Sequence, residues 1–186
     1  MPRIPFVSET GDLTPEQRRV VDGILGRRGG RIPGPFRFSL HCPAITEAWH
    51  PLGEVLRLKS GFPLRLSELA IVMAARHMDC DYVFNAHAPI AIENGLAPSV
   101  VEALAAGKRP AFDKPDEEAM HDYCKELAEH HKVSDRTYAR AKELFGVPGV
   151  VELTALFGYY TMVAMTILAH EMPVQENAKY RLARRA

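Results

Sequence analysis

The chain is short of most features that announce a function directly. Its 23 Lys and Arg are balanced by 23 Asp and Glu, so no net field draws nucleic acid or an anionic membrane surface, and neither is expected as a partner. Its three cysteines, Cys42, Cys80 and Cys124, are far apart, odd in number and in no CxxC. That excludes a disulfide scaffold or a zinc ribbon and points to a reducing cytoplasm. The opening residues, MPRIPFVSETGDLTPEQ, lack the apolar core of a signal peptide. The longest uncharged run, Leu153 to Ala169, is slightly short for a membrane span and reads as a buried helix or a subunit contact. No stretch alternates with period two for long enough to make a convincing strand.

What is present is helical punctuation. The 186 residues suffice for one domain with a substantial core. Residues 1–12 read as an extended arm. Thr14-Pro15-Glu16 opens a helix with a cap, a first-turn proline and an acid at the positive dipole end. That helix runs to Leu25 or Gly26. A loop rich in Arg and aromatics follows, marked by Gly29, Gly30, Pro33, Gly34 and Pro35. Further helices are expected over 44–58 (Trp49 and Leu52 inward, Pro51 a possible kink), 66–77, 81–93 with Gly95 as a left-handed cap, 98–106, 117–131, 134–145 and 148–170. Residues 174–186 read as a basic tail carrying Arg181, Arg184 and Arg185. The expected fold is therefore all-α, a single-domain bundle of about eight helices.

The stretch SELAIVMAARHMDCDYVFNAH, Ser67 to His87, organises this reading. Leu69 to Ala75 is apolar on every face, which suits the centre of a bundle. The turn centres near Met78 and Asp79. Glu68 and His87 then lie about 14–15 Å from it along their helices, at the same height in an antiparallel hairpin. If they face each other, the carboxylate holds the imidazole and fixes its tautomer, leaving the second nitrogen to move a proton. A purely structural hydrogen bond, or a solvated Glu68 at a helix start, uses the same residues. Cys80 sits near a helix N-terminus, but Asp79 and Asp81 disfavour a thiolate there, and Val83 stands where a CxxC partner would be. It reads as a packing residue. Pro89, inside the second helix, either opens a pocket beside His87 or accommodates packing.

Glu68-Leu69, Cys80, Tyr82, Phe84, His87 and Gly95-Leu96 together resemble the carboxymuconolactone decarboxylase family, of the alkylhydroperoxidase D-like superfamily. The peroxidase branch has a second cysteine three residues after the first; here that residue is Val83. The decarboxylase branch has Tyr-x-Trp-x-x-His in this helix; here Phe84 replaces the Trp. Pro35-Phe36-Arg37 through His41-Cys42-Pro43 resembles the family segment before the next helix, and Glu152 to Met165 its closing helix.

The resemblance implies an all-α trimer or hexamer and a cofactor-free pocket. The family reaction removes carbon dioxide from a carboxylated lactone of aromatic-ring catabolism. It further implies His87 as proton donor oriented by Glu68, Arg37 as a carboxylate clamp, His41 sharing that task or polarising the lactone carbonyl, and Tyr82 as a hydrogen-bond donor to the lactone. Exposed, capping or core roles for Arg37, His41 and Tyr82 compete with these. His130-His131, His170-Glu171, His50 and His77 show no ligand pattern, so no metal is expected. The acidic helix from Asp116 to Glu129 reads as a solvated face, and Tyr159, Tyr160, Met162 and Met165 as core or interface. Two further readings are a thiol peroxidase, disfavoured by Val83, and a non-catalytic oligomeric binding protein.

Overall fold

Eight helices and no strands make up the described part of the chain, residues 1–28 and 32–184 of a computed structural model. They are α1 (Pro15–Arg28), α2 (Phe36–Ser39), α3 (Pro43–Leu58), α4 (Leu64–His77), α5 (Asp81–Glu93), α6 (Pro98–Ala105), α7 (Pro115–His130) and α8 (Asp135–Ala169). The all-α expectation is met. The eight are not quite the expected eight, however. The aromatic loop contains the one-turn α2, and the last two expected helices run on as α8 through a break at Gly146 (φ 70, ψ 174). A positive φ favours glycine, and Pro148 two residues on supplies no N–H, so the break falls where the sequence weakens the helix. Gly29, Gly30 and Arg185 lie outside the described residues.

Contacts within the chain divide it into two compact units: Met1–Lys59 with Thr166–Pro173, and Ser60–Met165 with Val174–Ala186. In the first, α1 opens with a reciprocal capping box. The Gln17 N–H donates to Thr14 Oγ1 (3.2 Å) and the Thr14 N–H to Gln17 Oε1 (3.0 Å). Arg19 pairs with Glu47 and ties α1 to α3. Despite Pro51, α3 is continuous and buries Thr46, Trp49, His50, Gly53 and Leu56. Leu52, expected inward with Trp49, is exposed, because the buried stripe passes through 49–50 and 53 and leaves 52 outside it. The arm is extended as expected. The Val7 N–H donates to the Arg37 carbonyl and the Arg3 N–H to the His170 carbonyl, while Phe6 stacks on Phe38.

The second unit is built around α4, whose ten residues from Leu66 to Ala75 are all buried. Helices α5, α6 and α7 pack around it. Gly95 (φ 96) ends α5 as expected: its N–H bonds the Ile92 carbonyl and the Leu96 N–H bonds the Ala91 carbonyl. Helix α7 departs from a simple solvated face. Glu117 and His121 are buried on it, and Arg65 reaches across from α4 to pair with both Asp116 and Glu117. His130 and His131 are exposed. By length and composition α8 could cross a membrane, yet half of its most apolar window is buried within the protein.

Residues 174–184 do not hang free. Asn85 on α5 exchanges two bonds with the backbone of Tyr180, at 2.7 and 2.9 Å. Asp81 accepts the Leu182 N–H and pairs with Arg184, both at 2.7–2.8 Å. The expected basic tail is therefore a strap along α5, with its charge spent partly on Asp81.

Candidate active site

The hairpin turn is where the sequence placed it. Asp79 takes a left-handed conformation (φ 52), the Cys80 N–H closes the end of α4 on the Ala75 carbonyl at 2.9 Å, and Arg76 pairs with Asp79. From there α4 and α5 run antiparallel, and the height match between Glu68 and His87 becomes a contact. His87 Nδ1 lies 2.6 Å from Glu68 Oε2. Helix rotation, which residue spacing leaves open, has turned the two side chains toward each other.

Glu68 is 1% exposed and the His87 side chain 12%. A carboxylate that accepts from Nδ1 fixes the tautomer in which Nδ1 carries the proton and Nε2 is the reactive nitrogen. Among the described residues nothing hydrogen-bonds Nε2. The edge of Tyr160 stands against the imidazole, with ring centroids 5.1 Å apart and planes at 82°. Tyr159 packs on Tyr160 in turn. This aromatic contact was legible in the sequence only as apolar bulk; nothing in the spacing between 87 and 160 couples them.

Cys80 is fully buried at the other end of the hairpin. Burial pushes its thiol up to about 11, the nearby Asp81 adds to that, and the N–H groups of Val83 and Tyr82 only partly oppose it. It is protonated at neutral pH and packs beside Val83, as its sequence context suggests. Cys124 is likewise buried, with its thiol pushed up by burial alone, and Cys42 is exposed.

The remaining candidates are placed differently. Arg37 and His41 belong to the first unit, where both hold the N-terminal arm. The Arg37 guanidinium lies 3.4 Å from Glu9 and 5.4 Å from the centre of the Phe6 ring. His41 Nε2 donates to the Pro5 carbonyl at 2.8 Å. Tyr82 is half-buried on α5, and its carbonyl accepts from Gln175 Nε2 of the strap. Five residues before His87, it leaves the helix about 140° away around the axis. Pro89 does have space beside it: a cavity of about 450 Å³ shared with Asn85, Ile92 and the strap residues Gln175 and Tyr180. His87 is not part of its lining. Among the described residues no three His, Cys, Asp or Glu side chains gather as metal ligands would.

Residues 43–126 match the model of the carboxymuconolactone decarboxylase family. That is the family the sequence resembles, and the matched stretch contains Glu68, Cys80, Tyr82, Val83 and His87. Solved structures agree on the fold. An uncharacterised peroxidase-related protein from Ralstonia eutropha JMP134, with an alkylhydroperoxidase AhpD core, superposes with a TM-score of 0.75 at 20% identity, covering 94% of this chain and 93% of that one. A peroxidase-related protein from Silicibacter sp. TM1040 gives 0.73 at 15% identity over 95% of both chains. A protein of unknown function from Agrobacterium tumefaciens, assigned to antioxidant defence of the AhpD type, gives 0.66 at 14% identity, covering 74% of this chain and 95% of that one. No curated protein sequence matches the chain significantly.

Proposed function

We propose that the chain is a cofactor-free enzyme acting on a small carboxylated lactone or a related unsaturated diacid. Decarboxylation is the favoured reaction, and proton-shuttling isomerisation would use the same groups. The observation that carries the reading is the 2.6 Å contact between a buried Glu68 and His87. When the substrate carboxylate leaves as carbon dioxide, the electron pair of the broken C–C bond delocalises into the unsaturated lactone. His87 delivers a proton from Nε2 to the resulting carbanion, and Glu68 holds the ring in place for that transfer. Tyr82, on the same helix as His87, is the remaining candidate for lactone recognition, while Arg37 and His41 belong to the other unit and hold the arm.

Self-association into a trimer or hexamer belongs to the same proposal. Val151, Ala155, Gly158, Met162, Met165 and Leu168 follow helical spacing along α8 and are exposed. An uncharged stripe of that kind suits a subunit contact. A cytoplasmic setting accords with three unpaired thiols.

Turnover of a panel of carboxylated lactones tests the assignment. His87→Ala should lower it by about 10²–10⁴, and Glu68→Gln should lower it strongly, both with helical content intact. Full activity in both variants would sink the assignment. The peroxidase-related neighbours give a thiol peroxidase as the second reading. The buried, protonated Cys80 and the apolar Val83 oppose it, and peroxide reduction abolished by Cys80→Ser would favour it.

A further inference from the structure

The turn before α4 and the break in α8 meet around a cavity of about 380 Å³. Its whole wall belongs to the second unit. Two aromatic rings, Phe62 and Phe145, and two proline rings, Pro63 and Pro148, supply the apolar part. Glu152, past the break in α8, and Asp116, in the first turn of α7, supply the charge. Among the described residues no Lys, Arg or His lines the space.

Phe62 and Phe145 meet edge to face, with ring centroids 5.2 Å apart and planes at 85°. Such a pair covers a single ring face, and both rings are half-buried. Gly149 is required beside them: a Cβ there would stand 2.7 Å from Phe145 Cβ and 3.6 Å from Phe62 Cζ. The two acids are not equivalent. Asp116 is paired with Arg65, which lies outside the lining, so its charge is answered. Glu152 has no cationic partner among the described residues; its two oxygens share one donor, the Gly61 N–H, at 3.1 and 3.0 Å. A carboxylate offers about four lone-pair sites, so most of its accepting capacity is unused. Fastening the turn to α8 accounts for an acceptor at this position, but a neutral amide would serve that purpose. The helix dipole does not account for the charge either, because Glu152 lies beyond the first turn after the break at Gly146.

We propose that this cavity binds a small organic ammonium ion, its charge between Glu152 and the rings of Phe62 and Phe145 and its carbon skeleton on Pro63 and Pro148. The negative face of an aromatic ring attracts a cation, and more strongly where water is displaced. A cavity of this size admits a molecule larger than a bare inorganic cation. Neither Glu68 nor His87 lines it. The site stands whether or not that pair is catalytic, so its test reads binding and not turnover.

Titration of the full chain, followed by NMR and calorimetry, uses three probes: choline, the uncharged alcohol in which carbon replaces its nitrogen, and sodium. Choline should shift the Gly61 and Gly149 amide signals saturably and bind more tightly than either other probe. Glu152→Gln keeps an acceptor for the Gly61 N–H and removes the charge. It should weaken choline by about tenfold or more with the circular dichroism unchanged. Phe62→Leu should weaken it by about threefold or more, and this variant serves if Glu152→Gln disturbs folding. The alcohol binding as tightly as choline would overturn the cationic half of the proposal, and sodium binding as tightly would overturn the organic half. Absence of saturable choline binding, or unchanged affinity in the variants, would overturn the site.

Discussion

His87 and His121 each meet a carboxylate through Nδ1, at 2.6 Å and 2.9 Å, but the surroundings give the two contacts different meanings. Glu68 and His87 come from two helices and face each other across the hairpin, with the aromatic edge of Tyr160 beside them. His121 and Asp122 are neighbours on one helix, and Asp122 is already engaged by Arg109. Burial lowers the His121 pKa, the hydrogen bond and charge of Asp122 oppose that, and the charges of Arg109 and Lys125 reinforce it. A carboxylate shared with a guanidinium is a weak counter-ion for an imidazole. The first arrangement presents an oriented ring with one nitrogen in reserve; the second keeps a neutral ring in a cationic wall.

The widest separation between the two should appear in turnover. His87→Ala is expected to cost about 10²–10⁴, whereas His121→Phe should leave turnover essentially unchanged, because His121 makes no hydrogen bond to Glu68 or His87. Equal losses measured in the two variants would dissolve the distinction.

Next in size is the response of His121 to its neighbour. Arg109→Gln removes a charge that lowers the His121 pKa and frees Asp122, which raises it. The His121 titration followed by NMR should move upward, and no upward movement would mean that burial alone governs the ring.

A smaller effect concerns stability. Above the ordinary imidazole value of about 6.5 both folded and unfolded chains hold His121 neutral, and it contributes no slope. As pH falls below that value the unfolded chain takes up a proton that the folded chain resists, so stability decreases until the lower folded pKa is passed. His121→Phe should flatten the denaturant midpoint against pH as pH falls below about 6.5; an unchanged slope would assign it to other groups.

The smallest expectation sets the buried thiols against the exposed one. With iodoacetamide at neutral pH, the native chain should label at Cys42 and resist at Cys80 and Cys124, whose thiols are buried and protonated. Mass spectrometry showing rapid Cys80 labelling would reopen the peroxidase reading.

Much of the hairpin was legible beforehand because its determinants are local. Leu69 to Ala75 is apolar on every face, Asp79 falls at the turn, and Gly95 terminates the second helix, so the heights of Glu68 and His87 followed from a constant rise per residue. Leu52 and the acidic face of α7 were misjudged for the same physical reason. Which side of a helix is buried depends on what packs against it, and the reach of Arg65 to Glu117 is invisible to periodicity. His121 was passed over because an acidic helix gives no local sign that one of its polar residues turns inward.

The sequence by itself determined the all-α class, the hairpin and its turn, and the protonated, unpartnered character of Cys80. Those follow from helix geometry, capping chemistry and the residue at position 83. Tertiary structure alone decided that Glu68 and His87 meet, that Tyr160 flanks them, that Arg37 and His41 hold the arm, and that residues 174–184 strap α5. Each depends on helix rotation or on segments distant in the chain, and packing free energy is summed over contacts that no local window contains.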